Sequence, residues 1–135
     1  MRLTLKLLRD ARGVAAIEFA LTAPLVLTLM VGAMSIGQYY FTANALNHAV
    51  DEAARYATIS PTPTDTQIEA RFQSQDFGLI PASNVTFSST TSAVSSSVNS
   101  ISLTAHAQMT INFLFFRSGP IAINATRHVY ASTLT

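Results

Sequence analysis

The sequence predicts an α+β chain. A long N-terminal helix spans a membrane in its first part, and a short helix and a small antiparallel sheet of about three strands pack on its outer half. Three observations carry this. Phe19 to Tyr40 is a run of 22 residues without a formal charge, and a helix needs about 20 apolar residues to cross hydrocarbon. Beyond that run, apolar residues continue at helical spacing. The C-terminal half then alternates apolar and polar residues over two long stretches, the period of half-buried strands.

The chain begins with a basic tip. Residues 1–13 carry Arg2, Lys6, Arg9 and Arg12 against Asp10, a net of +3, whereas residues 14–135 carry four basic and six acidic side chains, a net of −2. A basic tip on a nearly neutral chain is not a nucleic-acid-binding surface. By the positive-inside tendency it holds the N-terminus in the cytoplasm and sends everything after about Tyr40 across the membrane. Cysteine is absent, which excludes disulfides, thiolate metal sites and cysteine nucleophiles.

From Gly13 to Val50 the chain has 38 residues, and Glu18 is the only formally charged side chain among them. A carboxylate beside hydrocarbon is expensive and marks a function. Thr22, Thr28 and Ser35 are tolerable in the span because their hydroxyls bond back to helix carbonyls. A cleavable secretory signal shares the basic start and apolar core. Against it stand the length of the run, the acid at its cytoplasmic end and the want of a clean small-residue cleavage site, although Ala43-Asn44-Ala45 could be forced into that role.

Past the span, "ANALNHAVDEAARYATI" sets Ala43, Leu46, Val50, Ala53 and Ala57 on one helical stripe. Asp51 and Arg55 stand four apart with the acid first, the favourable order for a helical pair. Pro61 and Pro63 end the helix. Val14 to Thr58 is 45 residues, about 67 Å of helix, so half the rod projects outward. Pro24 is expected to bend it near the inner end. Gly32 and Gly37 either let another helix approach or are ordinary membrane-helix composition.

These residues match a family. Gly13 followed by Glu18 and Phe19, after a short basic leader and before an apolar helix, resembles the prepilin processing motif of type IV pilin-like proteins. The fuller string "RGVAAIEFALTAPLVLTLMVG", continuing to "NHAVDEAARYA", resembles the TadE-like pseudopilins, minor pilins of the Tad (tight adherence, or Flp) pilus. The likeness is strong over about residues 12–58, and the C-terminal part matches only as a pattern of strands. It implies a type IV pilin-like fold and three regions: a leader, 1–13, removed by a prepilin peptidase between Gly13 and Val14; a helix, 14–58, in the membrane over about 19–40; and an exported domain, 59–135. Gly13 suits a cutting site because a residue without a side chain admits close approach to the backbone. Major pilins begin with an N-methylated Phe, whereas this mature chain would begin with Val14, so N-methylation is not carried over.

Cleavage would expose an ammonium at Val14, four residues before Glu18. Residues four apart share a helical face, and an acid in the first turn meets the positive end of the macrodipole. Inside an apolar filament core the carboxylate would need a partner, and the amine of a neighbouring subunit could serve, registering one subunit against the next. The plainer alternative is a carboxylate tolerated at the membrane surface.

In the exported half, "TDTQIEARFQSQDFG" predicts a short helix with a Thr66–Glu69 capping box, Ile68 and Phe72 on one face and Gly78 as its stop. "NVTFS" at 84–88 predicts a strand. "SISLTAHAQMTI" predicts another, with Ile101, Leu103, Ala105, Ala107, Met109 and Ile111 inward. "IAINATRHVYA" predicts a third, with Ile121, Ile123, Ala125, Val129 and Ala131 inward, and "NFLFFRSGP" turns the chain between them at Gly119-Pro120. Residues 84–104 hold 12 Ser or Thr in 21 and are expected to be a solvated loop flanked by strands; composition does not decide glycosylation. The Phe113, Leu114, Phe115 and Phe116 cluster either tucks against the rod or forms a subunit contact. His106 and His128 fall on polar strand faces with no third ligand, too few for zinc.

No nucleophile–base order, phosphate loop or carboxylate dyad points to catalysis, a metal or another cofactor. The expected function is structural: a minor pilin or pseudopilin of a Tad pilus, with Glu18 aligning subunits. Its expected partners are a prepilin peptidase, other pilin subunits, the assembly platform of the bacterial inner membrane and lipid, with no nucleic acid and no small-molecule substrate. A pseudopilin of a related secretion machine and a membrane-anchored extracytoplasmic binding module are the alternatives.

Overall fold

A computed structural model describes residues 11–59, 61, 63–113 and 115–132. Arg2, Lys6, Arg9 and Leu114 lie outside the described residues, as does the side chain of Arg12. Helix α1 runs Ala11–Ala57 and α2 Asp65–Gln73; a 3₁₀ turn at Ala82–Asn84 leads into β1 Val85–Ser95, β2 Val98–Asn112 and β3 Arg117–Ser132. The three strands form one antiparallel sheet in the order β1-β2-β3. The architecture is the α+β arrangement expected from the sequence.

At 47 residues, α1 is about 70 Å long. It continues as helix through Pro24. Hydroxyls bond back along it as expected, from Thr22 to the Glu18 carbonyl (2.9 Å) and Thr28 to Pro24 (2.7 Å), while the one Ser35 proton is shared between the Val31 and Asn112 carbonyls, each at 2.9 Å. Such bonds let polar side chains sit on an apolar rod without an unpaired donor. From Val14 to Met30 almost every side chain is exposed, among them Ile17, Leu21, Leu25, Val26 and Leu29.

The core lies on the other half of α1. Leu46, Ala49, Val50, Ala53, Ala54 and Ala57 are buried against the inward residues of β2 and β3. Ile101, Leu103, Ala105 and Ala107 of β2 are buried with Ile123, Ala125 and Ala131 of β3, while Ile121 and Val129 are half-buried. Alanine on both surfaces lets helix and sheet approach closely, and larger residues fill the ends. α2 closes one side through Ile68 and Phe72, both fully buried, with Phe72 stacked on Phe87 (4.1 Å between centroids) and tilted on Phe77 (4.9 Å). A three-stranded sheet needs such a cover to be stable.

Several expectations are corrected. The α2 capping box is Thr64 with Gln67, not Thr66 with Glu69: the Gln67 side chain accepts from the Thr64 N–H at 2.9 Å, and the Thr64 hydroxyl accepts from the Gln67 N–H at 3.4 Å. Two residues earlier, this box starts the helix right after Pro63. Asp51 does not pair with Arg55. It takes Arg127 of β3, at 2.5 and 3.3 Å, while Arg55 lies 3.8 Å from Glu52. Arg127 occupies an inward position of the β3 alternation, so its guanidinium must find an acid on the facing helix. Glu52 also accepts from Arg71 at 2.6 Å, tying α1 to α2, and this hydrogen bond holds its carboxyl below the ordinary glutamate range.

The Ser/Thr-rich stretch is a β-hairpin, not a loop. β1 pairs with β2 from Val85↔Ala107 to Ala93↔Asn99, slips by a bulge, and turns at Ser96 and Ser97. Its outer half is exposed on both faces, which is why burial-driven alternation fails there; β-branched Thr and the ladder carry the strand instead. Gly119 and Pro120 lie inside β3, with Pro120 opposite Thr110. β3 is an edge strand, where a residue without an N–H is tolerated.

Gly78 is not the stop of α2, which ends at Gln73 with Ser74 as its cap. It turns the chain at φ +71°, its N–H donating to the Asp76 carboxylate at 2.9 Å. A Cβ there would lie 3.2 Å from a Phe41 ring carbon and 3.4 Å from Ala45. Gly78→Ala is therefore expected to cost about 1–2 kcal/mol from the left-handed backbone alone, read as a lowered thermal midpoint of the full chain in detergent.

Candidate functional site

Gly13, Val14, Glu18 and Phe19 all lie on the first described turns of α1, and all are exposed. Val14 is 60% exposed and Phe19 72%. Four residues apart, Val14 and Glu18 share a helical face. Among the described residues no side chain pairs with the Glu18 carboxylate, and only its backbone carbonyl is engaged, by Thr22. A Cβ on Gly13 would meet nothing within 4 Å. Packing among the described residues therefore sets no requirement for glycine at that position.

The intact chain holds no amine at Val14, since its nitrogen is in the peptide bond with Gly13. What the site offers is a carboxylate standing alone on an apolar rod. Among the described residues this surface is open, so the carboxylate is accessible to other molecules.

The sheet face presents a shallow polar trough lined by Asn84, Thr86, His106, Gln108, Thr110 and Pro120. His106 Nδ1 is 2.5 Å from Asn124 Oδ1. His128 is opposite Ser102, four register positions along the strand from the His106–Asn124 pair. The structure does not bring the two histidines together, and among the described residues no group of three His, Cys, Asp or Glu could hold a metal.

Sequence reasoning missed a second place where α1 meets the domain, well inside the predicted span. Phe113 rests on Gly32, where a Cβ would approach its ring to 3.0 Å, and the Ser35 hydroxyl donates to the Asn112 carbonyl at 2.9 Å. Phe113 stacks on Phe116 at 4.4 Å. Of the two readings of the aromatic cluster, tucking against the rod holds for Phe113, while Phe115 and Phe116 stay 71% and 58% exposed. The glycine at 32, four residues ahead of Ile36 on the same face, was the available signal.

The family model described as TadE-like protein matches residues 13–55. The chain is TadE-like over this segment. The match begins at Gly13 and covers α1 almost to its end, leaving α2 and the sheet outside it. No curated protein and no solved structure matches the chain. The long apolar helix at its N-terminal end suits anchoring in a membrane.

Proposed function

We propose that this TadE-like chain is a minor pilin, a structural or assembly-initiating subunit of a Tad pilus. In this reading its leader, 1–13, stays in the cytoplasm until a prepilin peptidase cuts between Gly13 and Val14. The span then begins near Phe19, bends at Pro24, and holds the C-terminal domain outside the bacterial inner membrane. Mature subunits join other pilins on the assembly platform, with Glu18 of one meeting the Val14 amine of its neighbour.

The observation that carries this is the exposed rod. From Val14 to Leu27 nearly all side chains face outward with one carboxylate among them, and the folded domain first reaches the rod near Thr28 and Leu29. Such a surface is stable in lipid or against other helices, and a subunit that moves from membrane to filament needs both. Gly13 supports the processing step, because no contact among the described residues requires a glycine there.

The test is the N-terminus of the protein recovered from membranes. A Val14 start is expected, and Gly13→Val is expected to leave only the longer precursor on a gel. Normal processing of that variant, or a start well downstream near Ala45, would defeat the reading.

A further inference from the structure

The β2–β3 tip sits at an unexpected height on α1. Phe113 contacts Gly32, and Asn112 is hydrogen-bonded to Ser35. If Phe19 marks the inner edge of the hydrocarbon, Gly32 stands about 20 Å along the axis and Ser35 about 24 Å. The hydrocarbon is about 30 Å thick, so the tip falls roughly 6–10 Å below its outer edge. We propose that the tip, at Phe113, Phe115 and Phe116, is buried in the outer leaflet of the bilayer that α1 crosses, as a second membrane anchor, with Arg117 reaching the lipid headgroups. This rests on the membrane-spanning reading of α1.

The chemistry of the tip fits acyl chains. Leu29, Gly32, Ala33, Ile36, Phe113 and Phe116 line an apolar groove of about 390 Å³. That groove is continuous with the exposed apolar side chains of α1 below it, including Leu25 and Leu29, so one surface serves one solvent. Phe115 and Phe116 are exposed, and phenylalanine is among the residues that interfacial segments bury at the acyl boundary. A depth of 5–10 Å is the ordinary reach of interfacial apolar groups.

Each backbone polar group that a non-helical turn satisfies internally lowers its cost of entering hydrocarbon, and three at or beside this tip are satisfied so. The Phe113 N–H donates to the Phe116 carbonyl at 2.8 Å, the Asn112 carbonyl accepts from Ser35, and the Ile111 N–H donates to the Ser118 hydroxyl at 3.0 Å. Arg117 is exposed and stands opposite Asn112 in register. From that level its long side chain can keep its charge among the headgroup phosphates while its stem stays in the apolar layer.

The absence of tryptophan in this chain makes a direct test possible. Full-length Phe115→Trp, Leu27→Trp and Tyr130→Trp variants are reconstituted in phosphatidylcholine–phosphatidylglycerol vesicles, with and without lipids brominated on the acyl chain. Leu27→Trp reports the span itself, and Tyr130→Trp reports the sheet. The proposal expects bromolipid to remove most of the emission of Phe115→Trp and Leu27→Trp and little of that of Tyr130→Trp. If Leu27→Trp is quenched and Phe115→Trp is not, the tip is out of the leaflet and the anchor is overturned, whether its emission is red-shifted by water or blue-shifted by a second copy. If neither is quenched, the spanning reading falls with it.

Discussion

Phe72→Ala is expected to destabilise the folded domain by about 3–5 kcal/mol, as truncation of a buried aromatic does when the site cannot collapse. Phe72 is fully buried between Phe87 and Phe77. The nine residues of α2 are too few to stay helical alone. After the truncation only Ile68, the Glu52–Arg71 pair and the Thr91–Asp65 hydrogen bond would hold α2 down. Glu52 and Arg71 are each at least a third exposed, and a pair so wet contributes about 1 kcal/mol at most. A domain of this size has about 5–15 kcal/mol in hand, so much of the native state goes with one ring. The readout is hydrogen exchange of the β2 amides from Ile101 to Ala107 in the full chain in micelles. Those amides should exchange faster by about 10²–10³-fold or more, while Tyr130→Ala, at an exposed position, leaves them unchanged. Unaltered exchange in Phe72→Ala would mean that α2 is not part of the cooperative core.

The core was legible in the sequence because each of its elements has one wet and one dry face. The stripe Leu46, Val50, Ala53 and Ala57 and the alternations from Ile101 to Ile111 and Ile121 to Ala131 contain 11 of the 18 residues of the buried core. What escaped is what burial does not pattern. The outer half of β1 is wet on both faces, so no alternation marks it, and its Ser and Thr content resembles a loop. The Thr64–Gln67 box and the Asp51–Arg127 pair escaped because a local rule was applied to residues with several candidate partners. Asp51 has Arg55 four residues on in the sequence, but the fold brings Arg127 to it from 76 residues away. That an inward strand position at 127 held an arginine was the clue.

The N-terminal carboxylate draws notice for a different reason. Glu18 stands out by solvation alone, since any carboxylate in a long apolar run must be accounted for, and no tertiary contact is needed to see it. The contact of Phe113 with Gly32 was not legible in that way. It depends on how far down the helix the β2–β3 turn reaches, which follows from strand lengths of 15 and 16 residues that the alternation pattern underestimated.

In the proposed role of Glu18, Glu18→Ala is expected to be cleaved and inserted normally yet to enter pili about 10²–10³-fold less well. Removing one partner of a buried ion pair leaves the other charge uncompensated, at a cost of about 3–5 kcal/mol, here the Val14 ammonium of the neighbouring subunit. Membrane insertion cannot be the cause of such a loss. A carboxylate within a span opposes insertion, so replacing it with alanine makes the rod a better membrane helix. The folded domain cannot be the cause either, since among the described residues nothing pairs with the Glu18 side chain and α1 is free of the sheet from Val14 to Leu27. Shifting the acid by one residue, in Ile17→Glu with Glu18→Ala, keeps the charge but turns it about 100° around the helix. That variant is expected to stay defective if the position aligns subunits and to recover if any acid near the surface suffices. Measured as subunit per pilus mass against subunit in the membrane, an unchanged ratio in Glu18→Ala would remove the alignment role, because an ion pair that can be deleted without loss is not holding the filament in register.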